Sequence, residues 1–374
     1  MSINLLSSLL GSIRLPIECR QNCIESSDIY RYAFNNKVSL LYLDTLSRHG
    51  CVNELRDVYD KELLQYSRII DGINKVAKIL NENSVDYVVI KTIRPYPSLH
   101  GDIDVLVLGD ENMYKKAVRA MLREGYVPQI PDVIGKKGLS LEEKADILTR
   151  PTYGGGKHGL KHISPTGTDL LDTENKIYVD LQKQIALSYI IYVNKINVSK
   201  YTSETELFGN KIKVPLPEFD LAIIIAHSVA EQIYLLGEFC TFIHRVVSMN
   251  DAQINSFLKI LSENKINTAA KLFISITYEI CMNVYGKAPH NVKKILNSLG
   301  YNQREVGLLK KSDYKIPHRY SLSSLCGVFF EKLAELNFRQ TLGVQLIKMM
   351  DPRLMRLMLN SFIDLRTRDR YQKV

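Results

Sequence analysis

The sequence lacks any apolar run of the ~18–20 residues that are needed to cross a bilayer, and it lacks internal repeats and tracts of low complexity. Its apolar first ten residues have no preceding basic segment and no cleavage site, which is unlike a signal peptide. The six cysteines are scattered, so they form neither a zinc framework nor the cysteine set of a small secreted domain. These absences predict a cytoplasmic protein without a membrane segment.

Positive charge is in excess, with 49 lysines and arginines against 40 aspartates and glutamates, and the net charge is +9. Such an excess favours an anionic partner, either a nucleotide or a nucleic acid such as RNA or tRNA. The alternative is that the charge is spread over solvated faces and binds nothing specific. A group of basic residues near the C-terminus fits either interpretation: Arg353, Arg356, Arg366, Arg368, Arg370 and Lys373.

The pattern of apolar residues divides the chain into three candidate domains. Residues 1–84 and 218–374 have apolar residues at helical spacing, whereas 85–217 contains β-branched and aromatic runs separated by glycine and proline. We therefore predict an α+β fold, in which a small mixed β-sheet core lies between an N-terminal helical segment and a C-terminal helical bundle.

The middle part contains several segments with a clear period. Apolar runs predict strands, and a stretch of helical spacing that stops at Gly125 predicts a helix. The stretch 131–174 is predicted to be irregular apart from one helix near 141–148. The predicted strands are 85–91, 102–108, 126–130, 176–186 and 211–215, and the predicted helix is 111–124.

Two carboxylates lie two residues apart on the second of these strands. Side chains at such positions share one face of a strand, so Asp102 and Asp104 point the same way, while Ile103 and Val105 point to the core. Paired carboxylates bind hard cations such as Mg²⁺, and two-metal sites clamp the attacking and leaving oxygens of a phosphoryl group. A third carboxylate has to come from another strand, and Asp180 is the candidate. The alternative is a strand end with two solvated acids.

These residues resemble the nucleotidyltransferase superfamily, whose signature is a small-residue turn, a spacer and then Asp-hydrophobic-Asp-hydrophobic. More narrowly, the chain resembles an uncharacterised nucleotidyltransferase family with a Leu-Lys-Gly, then Arg, then Asp-Ile-Asp-Leu-Leu-Val pattern. The resemblance covers roughly residues 28–250. The segments that carry it are 35–46, 88–92, 100–107, 123–126, 178–182 and 220–227.

The resemblance implies the fold of that superfamily and a role for each matched residue. Asp102 and Asp104 would ligate Mg²⁺ or Mn²⁺, and Asp180 would complete one metal site and help to deprotonate the acceptor. The acceptor hydroxyl would attack the α-phosphorus of a nucleoside triphosphate such as ATP, with release of pyrophosphate. The acceptor could be an RNA 3′ end, a protein or a small molecule.

The candidate nucleotide-binding residues are Lys91, Thr92, Arg94 and Gly101. For Lys91 and Arg94, the alternative is a solvated residue at the end of a strand. The turn departs from the family pattern, because Thr92 stands where a glycine would let backbone N–H groups approach phosphates.

That departure leaves alternatives open. The chain could be a catalytically weak or inactive nucleotide- or RNA-binding module of the same fold, or the nucleotidyltransferase toxin of a toxin–antitoxin pair. Two further segments contain histidines. The loop 153–158 and His162 could close over a ligand, and His227 is predicted to be a core histidine of an apolar helix.

Overall fold

The computed structural model describes residues 2–13, 15–17, 24–129, 139–149, 152–156, 159–164, 167–187, 190–207, 209–300 and 316–350, with 352 and 355. The first part of the chain is helical, as predicted. Two of its helices are separated at Lys37, which adopts a left-handed backbone conformation (φ 58°). The helices are α1 (Ser2–Ser12), α2 (Ser27–Asn35), α3 (Ser39–Arg48) and α4 (Arg56–Glu82).

The middle part alternates strands and helices. Its elements are β1 (Tyr87–Val89), β2 (Asp102–Val107), α5 (Glu111–Arg123), β3 (Val127–Pro128), α6 (Leu141–Thr149), β4 (Thr152–Gly156), β5 (Gly159–Ser164), β6 (Gly167–Asp172), β7 (Ile177–Gln182), β8 (Ile185–Leu187), β9 (Ile190–Val193), a 3₁₀ helix (Lys195–Tyr201), β10 (Thr202–Leu207) and β11 (Asn210–Pro215).

Five of these strands form a mixed sheet in the order β1-β2-β7-β6-β3. Strand β2 is antiparallel to β1 and parallel to β7, while β6 is antiparallel to both β7 and β3. The strands β4 and β5 pair with each other, as do β8 with β9 and β10 with β11. The prediction of a small mixed sheet within an α+β fold is therefore confirmed, while the specific nucleotidyltransferase arrangement stays a prediction.

The sequence predicted some elements of the sheet well and missed others. Helix α5 begins where the Asp110 side chain accepts the N–H of Met113 (2.9 Å) and ends before Gly125, whose φ of 85° suits glycine. The prediction of irregular structure is wrong for 152–156, 159–164 and 167–172, because these residues form β4, β5 and β6. The run of β6 lacks a clear alternation, and this strand is defined by its pairing with β7.

The last part of the chain is again helical. Asn250 and Gln253 form a capping box at the start of the helix Asp251–Glu263. The elements are α7 (Pro217–Ala230), β12 (Ile233–Tyr234), α8 (Leu236–Val247), α9 (Asp251–Glu263), α10 (Asn267–Tyr285), α11 (His290–Ser298), β13 (His318–Arg319), α12 (Leu322–Lys332) and α13 (Leu336–Met349).

Two hydrophobic cores lie on opposite faces of the sheet. On one face, Ile103 and Val105 pack with α4 and α5. On the other, Leu106 and Ile90 join a larger core that contains residues of α1–α3 and of α7–α11. The helices before and after the sheet thus share one core. In the described part of the chain, no helix is both long and apolar enough to cross a membrane.

Candidate active site at the edge of the sheet

The three predicted acidic residues lie on two neighbouring strands. In the parallel pairing of β2 with β7, Asp104 lies opposite Asp180 and Asp102 lies opposite Tyr178. Adjacent strands are about 4.8 Å apart, so the Asp104 and Asp180 side chains leave the same face next to each other. Asp102 lies at the exposed start of β2 on that face. The structure therefore brings Asp104 and Asp180 together on neighbouring strands that are far apart in the sequence. Asp102 lies two residues before Asp104, on the same face of β2.

A fourth carboxylate, which the sequence did not indicate, extends this row. Asp169 on β6 lies opposite Asp180 in the antiparallel pairing of β6 with β7. The row therefore runs across three strands, from Asp104 through Asp180 to Asp169. Sequence reasoning missed Asp169 because β6 itself was predicted to be irregular, and its partner is set by the fold alone.

A lysine lies among these carboxylates. The Nζ atom of Lys91 is 3.0 Å from Oδ1 of Asp104, and both side chains are largely buried, with 10% and 13% of their surface exposed. Burial disfavours the ammonium, but the neighbouring Asp104 carboxylate outweighs it and raises the pKa of Lys91. The alternative of a solvated strand-end lysine is therefore wrong for Lys91.

Gln182 joins the two central carboxylates. Its Nε2 atom donates to Oδ1 of Asp104 and to Oδ2 of Asp180, both at 2.7 Å. Its buried Oε1 atom has no hydrogen-bond partner among the described residues. An amide oxygen without a partner is an additional oxygen donor next to the acids.

Burial and neighbouring negative charge raise the pKa values of Asp180 and Asp102. Burial, followed by the charges of Asp104 and Asp169, raises the pKa of Asp180 to about 8, although Lys91 and Gln182 act in the opposite direction. Desolvation of its carboxylate and the charge of Asp104 also raise the pKa of Asp102. The ammonium of Lys91, and for Asp102 also that of Lys37, acts to lower these pKa values but does not outweigh burial and the neighbouring carboxylates, so negative charge stays in excess at the acidic row.

The turn after β1 is closed by Thr92. Its hydroxyl accepts the N–H of Asp104 (3.0 Å) and donates to the carbonyl of Ile90 (3.1 Å), and the residue is buried. Its own N–H donates to the same carbonyl at 2.6 Å. Since the hydroxyl satisfies the backbone of β2, it is not directed at a phosphate. The second turn, at Gly101, is open, because nothing lies within 4 Å of a Cβ placed there.

Helix α7 anchors the same turn from behind. The Lys91 backbone, which is left-handed (φ 58°), donates its N–H to the carboxylate of Asp220. Asp220 is buried, and its Oδ2 atom is 3.7 Å from Nη2 of Arg245. Burial raises the pKa of Asp220, while Arg94 and Arg245 act to lower it. Of the predicted nucleotide-binding residues, Arg94 is thus turned toward Asp220 and also donates to Thr241 Oγ1 (3.2 Å).

A basic group surrounds His100 near the turn. Burial, together with the charges of Arg94, Lys37 and Lys91, holds the pKa of His100 well below its ordinary value. The buried Nε2 atom of His100 has no hydrogen-bond partner within the described residues. Lys37, Lys91 and Arg94 thus surround a neutral imidazole, while Lys91 is paired with Asp104 and Arg94 is turned toward Asp220.

The wall that faces the acidic row is formed by Tyr192, His227 and Glu231. The Tyr192 hydroxyl is 3.0 Å from His227 Nδ1, and His227 Nε2 is 3.3 Å from Glu231 Oε1. The His227 side chain is 27% exposed, so the prediction of a core histidine is wrong. The charges of Lys91, Asp104 and Asp180 act on the Tyr192 hydroxyl. The helical period identified the helix but not this side-chain contact, which joins β9 to α7.

The donor set of the acidic row fits a divalent cation in its chemistry. Carboxylate oxygens are the ligands that Mg²⁺ prefers, and the excess negative charge favours a cation. In their present positions, however, no three His, Cys, Asp or Glu side chains within the described residues form a group that could hold a metal ion. A cation held by Asp104 and Asp180 would have to displace the Lys91 ammonium. The loop residues 157–158, the side chain of His162 and the basic group that begins at Arg353 lie outside the described residues.

Comparisons with protein-family models, with curated proteins and with solved structures found no match. The functional argument therefore depends on the side chains of this chain and their geometry.

Proposed function

We propose that the chain is a Mg²⁺-dependent nucleotidyltransferase. It would transfer a nucleoside monophosphate from a nucleoside triphosphate to an acceptor hydroxyl and release pyrophosphate. The observation that carries the proposal is the pairing of Asp104 with Asp180 across two parallel strands, with Asp102 on the same face. In phosphoryl transfer, catalysis comes mainly from positioning and from neutralising charge, and such a carboxylate set provides both through a bound cation.

The roles follow from the side chains that are present. Asp102, Asp104 and Asp180 would hold the cation, which would neutralise charge on the reacting phosphate. Lys91 would then be released from Asp104 and could pair with a phosphate oxygen within reach of the same turn. The positive charges of Lys37 and Arg94 near His100 support an anionic ligand on this side of the acidic row.

A second candidate function is a nucleotide- or RNA-binding module without turnover. The Lys91–Asp104 ion pair favours it, because the ammonium occupies the position next to Asp104 that a cation needs. The use of the Thr92 hydroxyl by the backbone of β2 also favours it, because the turn then presents no hydroxyl to a phosphate.

The direct test is transfer of label from radiolabelled nucleoside triphosphates, with Mg²⁺ or Mn²⁺, to total RNA, total protein or small hydroxyl compounds. We expect transfer by the wild type and its loss in Asp104→Asn. Asp251→Asn is the matched control, since Asp251 pairs with Lys294 (2.7 Å) away from the sheet. No transfer under any condition would contradict the enzymatic proposal.

Calorimetry with triphosphate and Mg²⁺ separates the two candidates. Metal-dependent binding without turnover favours the binding module. Lys91→Met then decides whether the ammonium competes with the cation, since its removal should tighten Mg²⁺ binding if it does.

A further inference from the structure

Tyr192, His227 and Glu231 are linked by two contacts, and the charge of Glu231 determines which atoms donate in them. Although burial acts to raise it, contact with His227 lowers the pKa of Glu231 to about 2, so its carboxylate is ionised and can only accept. His227 Nε2, at 3.3 Å from Glu231 Oε1, is therefore the nitrogen that carries the proton in the neutral ring. His227 Nδ1 is then a free acceptor.

The acceptor nitrogen of His227 lies next to the phenol group of Tyr192, which carries a proton. Burial raises the pKa of Tyr192, while the ammonium of Lys91 acts to lower it, so the phenol is protonated at neutral pH. The hydroxyl is 3.0 Å from Nδ1 and therefore donates to it. The arrangement follows the logic of a carboxylate that orients a histidine, which in turn accepts a proton from a hydroxyl.

Tyr192, His227 and Glu231 lie where a reaction at the acidic row would need a base. The Tyr192 hydroxyl faces the charges of Lys91, Asp104 and Asp180. His227 and Glu231, which are 27% and 31% exposed, face Lys37, Lys91 and Asp102. Tyr192 also borders an apolar cavity of about 530 Å³, next to Ala226 and Val229 of α7. The tyrosine thus borders open space as well as the acidic row.

We propose that Tyr192, backed by His227 and Glu231, is the proton relay that activates the acceptor hydroxyl. This inference rests on the proposed nucleotidyl transfer. The acceptor gives its proton to the Tyr192 oxygen while the phenolic proton passes to His227 Nδ1. The acceptor oxygen forms a bond to the α-phosphorus, and the bond from that phosphorus to the bridging oxygen breaks. Pyrophosphate leaves with the electron pair, and Glu231 stabilises the imidazolium.

Tyr192 is the catalytic residue of this relay, because it contacts the acceptor, whereas His227 and Glu231 are positioning residues. Asp180 is held by Gln182 and lies beside Lys91, so it serves the charge of the site rather than the proton of the acceptor. In this relay the neutral His227 ring accepts the phenolic proton at Nδ1.

The experiment measures kcat and KM for nucleotidyl transfer in the full chain and in three variants. We expect Tyr192→Phe to lower kcat roughly 10²-fold, with KM for the triphosphate changed less than about twofold. Glu231→Gln should also lower kcat, but less than Tyr192→Phe and with the same small change in KM, because the imidazolium that forms at His227 loses its anionic partner.

Tyr234→Phe is the matched control, since the Tyr234 hydroxyl is also buried and bonded, to Thr277 at 2.8 Å, in the core between α8 and α10. It should keep both kcat and KM. Thermal unfolding of each variant separates loss of folding from loss of the relay.

The outcomes are distinguishable. An unchanged kcat in Tyr192→Phe, with transfer by the wild type, overturns the relay and leaves the transferase proposal standing. An equal loss of activity in Tyr234→Phe also overturns the relay. If the wild type transfers nothing and Asp104→Asn changes nothing, the transferase proposal fails, and the relay fails with it.

Discussion

The Lys91 side chain lies among the carboxylates of the acidic row. Its ammonium pairs with Asp104, its backbone N–H bonds to Asp220, and its left-handed conformation turns the chain away from β1. A left-handed non-glycine residue costs of order 1 kcal/mol, and it persists because the surrounding contacts determine it. Such strain at a charged, buried turn is typical of functional sites.

A first prediction concerns Asp180. Because its folded pKa is raised to about 8, the protonated form stabilises the native state at low pH, and this contribution is lost as pH rises from about 4 to 8. Asp180→Asn removes the titration. Between pH 5 and pH 8, its free energy of unfolding should therefore rise by about 3–4 kcal/mol relative to that of the wild type.

Urea unfolding at the two pH values measures the effect of Asp180→Asn. Asp86→Asn, at the half-exposed ion pair with Lys213, is the control and should show no such gain. If Asp180→Asn instead became less stable relative to the wild type as pH rises, the raised pKa of Asp180 would be contradicted.

A second prediction concerns Thr92. Thr92→Gly removes the hydroxyl that accepts the Asp104 N–H and leaves that buried donor without its partner, so it should destabilise the fold by about 1–3 kcal/mol. Thr92→Ser keeps the hydroxyl and should lose less than Thr92→Gly. Urea unfolding compares the two, and equal stabilities of wild type and Thr92→Gly would show that the hydroxyl has no structural role.

Among the elements, α7 connects the turn, the relay and the core. Asp220 in its first turn holds the Lys91 backbone, and His227 and Glu231 at its other end face Tyr192 on β9. The helix is apolar around most of its circumference, which fits its position between the sheet and the other helices. Of its few polar side chains, Asp220 and His227 contact the site, whereas Ser228 bonds to the carbonyl of Ile233.

A third prediction tests this helix. Asp220→Ala leaves Arg94 and Arg245 without their buried counter-charge, and removing one partner of a buried ion pair costs about 3–5 kcal/mol. We expect a loss of this order in thermal or urea unfolding. Glu263→Ala is the control, because its ion pair with Lys259 is solvated (3.8 Å) and should contribute less than about 1 kcal/mol. A loss no larger than that of the control would exclude the anchoring role.

In the whole molecule, the sheet is shared between two cores. Val88, Ile90, Leu106 and Leu108 on one face of β1 and β2 pack with helices from both ends of the chain. The acidic row lies on the face of the sheet that these helices cover, so residues from α7 and from the segment between α2 and α3 reach it. The site is therefore made by the association of the three parts of the chain.

A fourth prediction follows for the isolated middle part. A fragment of residues 85–217 would expose the four apolar side chains of this face, and at about 25 cal/mol per Å² their exposure removes several kcal/mol of stabilisation. We expect the fragment to bind a hydrophobic dye and to unfold without cooperativity. The full chain is the control, and cooperative unfolding of the fragment would contradict a shared core.

The sequence by itself determined the helical and mixed parts of the chain, the strand that carries Asp102 and Asp104, and the alternation that puts Asp180 on one face of its strand. These are local patterns of period 3.6 and 2, which short segments specify. The family resemblance and the proposed activity were also drawn from these residues, and they remain to be tested by experiment.

Only the tertiary structure decided which strands are neighbours and which side chains meet. The parallel pairing of β2 with β7 put Asp104 beside Asp180, and the pairing of β6 brought in Asp169. The contact of β9 with α7 made the row of Tyr192, His227 and Glu231. Strand order and contacts between elements depend on residues that are far apart in the chain, so no local pattern could specify them.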